Sequence, residues 1–196
     1  VVVKKYKPLR VEKNIKEKEN ILNQDFTTTS INQKWSADIT YIHTEKDGWT
    51  YLASVEDLYS RKIIGWAFGK TMDAELAKKA LKNASLNIKK TKGIILQTDL
   101  GSQYTSNIFE EYLAELKIRH SYSRKGCPYD NSCIESFHSI LKKEEVKLKK
   151  HRDFKDAYNA IFEFIESWYN RERIHSCLNY RTPDEVYSNL EKSLVA

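Results

Sequence analysis

Three acidic residues sit in segments that suit metal-assisted attack on a phosphodiester bond. Asp38 lies inside the apolar, β-branched run 35–40, Asp99 ends the run 93–98, and Glu135 falls in the opening turns of a helix over 131–137. Carboxylates at a strand interior, a strand end and a helix start can converge in space although they are far apart in sequence. Mg²⁺ prefers oxygen ligands and keeps several waters, so two or three carboxylates plus substrate phosphate oxygens make a typical site. Crowded carboxylates repel one another unless a cation neutralises them. Two ions ~3.5–4 Å apart can activate an attacking oxygen and stabilise the leaving one. Phosphoryl transfer asks mainly for positioning and charge neutralisation, so no protein nucleophile is required.

Each acid also has a plain structural reading as a solvated carboxylate, and only the set is informative. Asp57 ends another apolar strand and reads either as a turn cap before Ser60 or as a fourth acid of the site. Lys142 lies seven residues beyond Glu135, two helical turns along the same face, where its ammonium can meet a phosphate. His138 is at i+3 from Glu135; a hard-cation site does not favour imidazole, so packing or a DNA contact is the expected role. A zinc site from Cys127, Cys133 and His138 lacks any CxxC pair to support it.

The elements that must position these residues follow from patterning. Runs 35–43 and 49–57 read as strands joined through Asp47-Gly48, a hairpin signal, and 63–70 as a third strand. Asp73 caps a helix with Leu76, Ala77, Ala80, Leu81 and Ala84 at helical spacing. A buried strand over 94–98, a helix over about 106–116 and a short strand near 119–121 come next. The Gly/Pro/Asn loop 124–131 opens the helix carrying Glu135, which runs to about 145. An aromatic-rich helix spans about 154–169, and Thr182-Pro183 opens a last short helix. Hairpin strands followed by alternating units predict an α/β fold with a mixed five-stranded sheet flanked by helices. That order fits a ribonuclease-H-like core.

The chain of 196 residues is 40% hydrophobic and carries a net charge of +6 with a pI near 9.0. It can bury one substantial core, and its charge favours a polyanionic partner. Residues 1–19 hold seven Lys/Arg against three Glu, and 141–153 hold six against three acids. Residues 1–30, basic and then polar, read as an arm or linker, 31–150 as the catalytic core, and 151–196 as a helical extension. Three cysteines without a visible secretory signal predict a reduced, cytoplasmic setting. No apolar run approaches the ~20 residues that span a membrane. With Met72 the only methionine, the chain reads as the downstream part of a longer product.

Sixty residues separate Asp38 from Asp99 and thirty-five separate Asp99 from Glu135. The second spacing, with Lys142 beyond it, resembles the signature of the DDE transposase and retroviral integrase superfamily. The strings around Trp35-Ser36-Ala37-Asp38, Thr98-Asp99-Leu100-Gly101-Ser102-Gln103-Tyr104 and Asp130-Asn131 through Glu135-Ser136-Phe137 look like the insertion-sequence-three family of bacterial transposases. So does the tail with Tyr169-Asn170, Arg173, His175 and Thr182-Pro183. Gln97-Thr98 departs from the family's usual His-Ser, and Cys127-Pro128 from another common pair.

The resemblance implies a DNA transposase domain that cleaves a strand at an insertion-sequence end and transfers its 3′-hydroxyl. It implies Asp38, Asp99 and Glu135 as catalytic ligands of two Mg²⁺ ions, with Mn²⁺ as substitute. Lys142 would hold DNA near the scissile phosphate. Gln103 and Tyr104 would help position DNA, and Arg124, Lys125, Lys147, Lys149 and Lys150 would contact phosphates without reading sequence. Terminal repeats and target DNA would be the partners, in a dimer or larger assembly. The rivals are a hydrolytic nuclease on the same fold and a non-catalytic DNA-binding module. Retention of all three acids and Lys142 argues against the second.

Overall fold

The computed structural model describes residues 18–195 except 87 and 89. Strands β1 (Lys34–Thr44), β2 (Gly48–Asp57) and β3 (Ile63–Gly69) precede helix α1 (Ala74–Ser85) and strand β4 (Ile95–Thr98). Helix α2 (Asn107–Leu116), strand β5 (Arg119–Tyr122) and helices α3 (Ser132–Leu141), α4 (Phe154–Phe162) and α5 (Pro183–Val195) follow. The five strands form one sheet in the order β3-β2-β1-β4-β5. Antiparallel pairing joins β1, β2 and β3, and parallel pairing joins β1 to β4 and β4 to β5. The mixed ribonuclease-H-like sheet expected from the element order is therefore present.

Local chemistry explains the frame. Asp47-Gly48 closes the β1–β2 hairpin, with Gly48 at φ +72° and the Asp47 N–H donating to Thr44 Oγ1 at 3.2 Å. Asp73 caps α1 by accepting from the Leu76 N–H, and Ser106 caps α2 through the Phe109 N–H. Alternation along the strands sends apolar side chains to both faces. On one face Trp35, Ala37, Val55 and Ala67 pack with Leu81 of α1 and Phe109 and Leu113 of α2. On the other, Ile42, Leu52 and Phe68 pack with Ile134, Phe137 and Leu141 of α3 and with Ala157 and Ile161 of α4. Each such Val, Leu, Ile or Phe side chain contributes about 1.5–3 kcal/mol by leaving water. The backbone of α1 also rides directly on β3: a Cβ at Gly65 would stand 2.3 Å from the Ala84 nitrogen.

Three features differ from the patterning. The helix after Leu141 continues as a π-helical turn over Lys142–Val146, in which the Lys147 N–H donates to the Lys142 carbonyl five residues back. A second π-helical stretch, Glu163–Tyr169, extends α4. The part of 1–30 that is described is more than a tether: Leu22 is buried beside Leu58 and Cys133, and its N–H donates to Ser121 Oγ at 2.9 Å. The basic run before residue 18 lies outside the described residues. No helix among those described is long and apolar enough to cross a membrane.

Candidate active site

Parallel pairing brings the first two acids together. The β1–β4 register matches Ser36 with Gln97, and two residues further along each strand stand Asp38 and Asp99. Pairing ends before either is reached, so both carboxylates stand at the margin where β1 and β4 part. Glu135 arrives from the first turn of α3, whose Ile134, Phe137 and Leu141 are buried on the sheet. The helix start is tied to β1 by Ser36 Oγ donating to Asn131 Oδ1 at 2.7 Å. Asp38, Asp99 and Glu135 line one cavity of about 530 Å³, together with Gly101, Arg124 and Lys125. A second hollow of about 370 Å³ shares Asp38 and Glu135 and runs to Lys142, Lys143 and Lys147.

The electrostatics agree with three acids sharing a small space. Burial and then the Asp38 charge push the Asp99 carboxyl above the ordinary range, against the Gly101 N–H, which donates to it at 2.8 Å. Glu135 is pushed up by burial and by Asp38 in the same way. A cation in the cavity would remove the like-charge part of both shifts. Among the described residues no three His, Cys, Asp or Glu side chains close into a ready-made metal cage. The oxygen-only donors nevertheless fit Mg²⁺ or Mn²⁺, which take few carboxylates and fill their remaining positions with water and phosphate.

His138 is buried behind Asp38. Its Nε2 lies 2.8 Å from Ser54 Oγ and its Nδ1 3.4 Å from Asp38 Oδ2. The imidazole thus braces the Asp38 carboxylate, and of the two roles expected of it, packing or a DNA contact, its burial fits packing. Asp57 takes the turn-cap role: it accepts from the Ser60 N–H and Oγ–H and from the Asn32 N–H, at the far end of β2. The cysteines Cys127, Cys133 and Cys177 are free thiols.

The remaining expected DNA contacts divide. Lys142 sits beside the acids, its ammonium 4.2 Å from the centre of the Tyr41 ring. Lys125 lines the first cavity and Lys147 the second, both exposed. Lys150 is exposed beyond the helix. Gln103 is half-buried, its amide N–H donating to the Met72 carbonyl at 3.4 Å. Arg124 is clamped by Asp130 through two side-chain hydrogen bonds of 3.0 and 3.1 Å, and Lys149 is paired with Glu145 at 3.1 Å. Tyr104 needs correction: it is only 2% exposed and packs edge-on against Phe109, so its ring has no face to offer DNA. Its N–H donates to the Gly101 carbonyl at 3.1 Å, in the turn that precedes the helix cap at Ser106. Burial and the charges of Asp38 and Asp99 raise its hydroxyl well above the usual tyrosine range.

Some connections had no clear sequence signal. Asp130 is a hub that also accepts from Asn20 and Gln24, contacts that neither the helix opening nor the family string at Asp130-Asn131 signals. The tail residue Asn170 accepts from the Ile63 N–H and donates to the Ile63 carbonyl, both at 3.0 Å, so it satisfies the edge strand β3. Tyr169 packs edge-on against Phe137 and His175.

Comparison with known proteins now adds to the geometry. The profile of the Integrase core domain family matches residues 28–128, more than half of the chain, and a second Integrase core domain profile matches 116–183. The chain belongs to the integrase core family. It is 42% identical over 167 residues to the transposase InsF of insertion sequence IS3A from Escherichia coli K12, covering 85% of this chain and 58% of that protein. It is 40% identical over 166 residues to the transposase of insertion sequence element IS904 from Lactococcus lactis, covering 85% and 65%. The chain thus spans about three-fifths of the length of these relatives. Among solved structures, the HTLV-2 integrase catalytic core domain in complex with magnesium superposes with a TM-score of 0.62 at 18% identity, covering 82% of this chain and 99% of that one. A simian T-cell lymphotropic virus intasome in complex with PP2A regulatory subunit B56 gamma gives 0.65 at 20% identity, covering 82% and 55%. These neighbours share the fold of this integrase core.

Proposed function

We propose that this integrase core is the catalytic part of a DNA transposase, which cleaves a strand at an insertion-sequence end and transfers the freed 3′-hydroxyl to another phosphodiester. The observation that carries the reading is the meeting of Asp38, Asp99 and Glu135 at one cavity. These three would hold two Mg²⁺, for which Mn²⁺ can substitute. Bound there, the ions supply charge neutralisation at the attacking and leaving oxygens. The protein's own contribution is positioning. The Gly101 N–H and the His138 ring fix the Asp99 and Asp38 carboxylates, and the packing of α3 fixes Glu135. Lys142 holds a phosphate beside them, with Lys125, Lys147 and Lys150 adding sequence-independent attraction. Arg124 and Lys149 join only by exchanging their carboxylate partners for phosphate. The DNA partners are the element's terminal repeats and a target, and two active sites in a dimer or larger assembly handle the two ends. The setting is the cytoplasm, at the nucleoid when DNA is bound.

The test is a joining assay on labelled element ends. Asp99→Asn and Glu135→Gln should abolish Mg²⁺-dependent 3′-end joining and weaken Mn²⁺ binding by calorimetry, while DNA binding in Ca²⁺ persists. Full joining by either variant would overturn the assignment. Accumulation of cleaved but never joined DNA by the unaltered chain would instead support a hydrolytic nuclease.

A further inference from the structure

The hairpin beside the acids carries an exposed aromatic row that the reaction described above does not use. Tyr41 and Trp49 are each 55% exposed, large apolar rings where polar side chains would be expected. They meet edge-to-face at 5.1 Å, and His43 meets Trp49 the same way at 5.0 Å. The row follows from the pairing of β1 with β2, which sets Trp49 opposite His43 and Tyr51 opposite Tyr41. Its inner end is the Tyr41 ring under the Lys142 ammonium, and Tyr41 itself lines the hollow shared with Asp38 and Glu135.

We infer that Trp49 and Tyr41 form a stacking platform for an unpaired nucleotide of the DNA strand whose phosphate lies at Lys142. The inference rests on the DNA-processing reading and names a contact that it leaves open. Charge selects the occupant: the hollow at the end of the row holds Lys142, Lys143 and Lys147, which suit a polyanion better than an apolar protein face. Geometry selects the unpaired form. Bases in a duplex have their faces covered by neighbours, whereas a strand end drawn toward the acids exposes a base face. Aromatic rings alternating with lysines recognise such strands with little sequence preference. Lys142 takes one face of Tyr41, so Trp49 is the ring that receives the base, with Tyr41 as its buttress.

The experiment uses the chain with DNA ends in Ca²⁺, so that binding is read without chemistry. One set of ends is fully paired, and the other has unpaired terminal nucleotides carrying 5-iododeoxyuridine. Long-wavelength irradiation should crosslink the unpaired nucleotide to Trp49 or Tyr41, mapped by mass spectrometry. Trp49→Ala should weaken binding to unpaired ends about tenfold and to paired ends less than about twofold. Trp49→Phe should retain most of the preference. Equal loss on both ends, crosslinks confined to other residues, or a change in sedimentation that marks the row as a contact between copies would each overturn the platform. If the chain joins DNA in Mg²⁺ yet gives none of the expected crosslinks, only the platform falls. If it crosslinks at Trp49 but never joins DNA, the platform stands and the transposase reading falls.

Discussion

Two groups of acids, one at the margin where β1 and β4 part and the other at the last residues of β2, show how one residue type is put to different uses. At the first, Asp38, Asp99 and Glu135 face a cavity with few protein donors, the Ile39 and Gly101 N–H groups among them. At the other, Asp57 accepts three hydrogen bonds, from Asn32 and twice from Ser60, and Glu56 is buried 3.8 Å from Arg61. The Asp57 corner spends its carboxylate on closing a turn. The cavity margin leaves its oxygens available for a cation. What separates a structural acid from a chemical one here is the supply of protein donors, because Asp57 is buried more deeply than any of the three.

That contrast can be broken from either side. Asp38→Asn should lower joining by about 1,000-fold, on the order of 4 kcal/mol of barrier, with little change in melting temperature; a large loss of stability would place Asp38 with the structural acids. Asp57→Ala should do the reverse. Stranding the Asn32 and Ser60 donors should cost about 2–4 kcal/mol in denaturant unfolding, while joining per folded molecule stays close to normal.

Glu56 supplies the pH test. Burial holds its carboxyl up at about 7, against an ordinary 4.5, despite the opposing Arg61 charge. The folded chain therefore keeps a proton that the unfolded chain releases. Stability should be greatest below about pH 4.5 as far as this group is concerned, and fall as pH rises to about 7, by up to about 3 kcal/mol. Glu56→Gln should flatten that part of the profile in thermal melts across pH 5–8, and an unchanged slope would show that another group governs it. Smaller still, Lys142→Ala should weaken DNA binding about tenfold and lower the salt slope by about one. Lys149→Ala, which leaves the buried Glu145 carboxylate without its ammonium partner, should cost about 1 kcal/mol in denaturant unfolding.

The sheet was largely legible because its signals are local. Alternation marks β1 and β2, Asp47-Gly48 marks the hairpin, and Asp73 and Ser106 mark the helix starts. The acids were legible as a set through spacing, and the parallel register of β1 and β4 supplies the physical reason that Asp38 and Asp99 meet. What stayed hidden depends on partners distant in sequence. Nothing near Tyr104 reveals that its ring is buried against Phe109. The clamp of Asp130 on Arg124, with Asn20 and Gln24 joining from far upstream, has no periodic signature. Asn170 looked like part of a family tail, yet its measurable contact is the backbone of Ile63, 107 residues away.

The wide turn after α3 has a consequence for the lysines beyond it. In a regular helix the seven-residue step that aligns Glu135 with Lys142 would next point Lys149 toward the acids. The extra residue taken up by the π-helical turn at Lys142–Val146 shifts the phase at which the chain leaves the helix, and 147–149 continue as turns. Lys147 faces the hollow instead, and Lys149 swings out to Glu145. Deleting one residue from that turn would restore the ordinary winding, turn Lys147 by roughly 100°, and leave the acids and Lys142 in place while Lys147 is drawn out of the hollow.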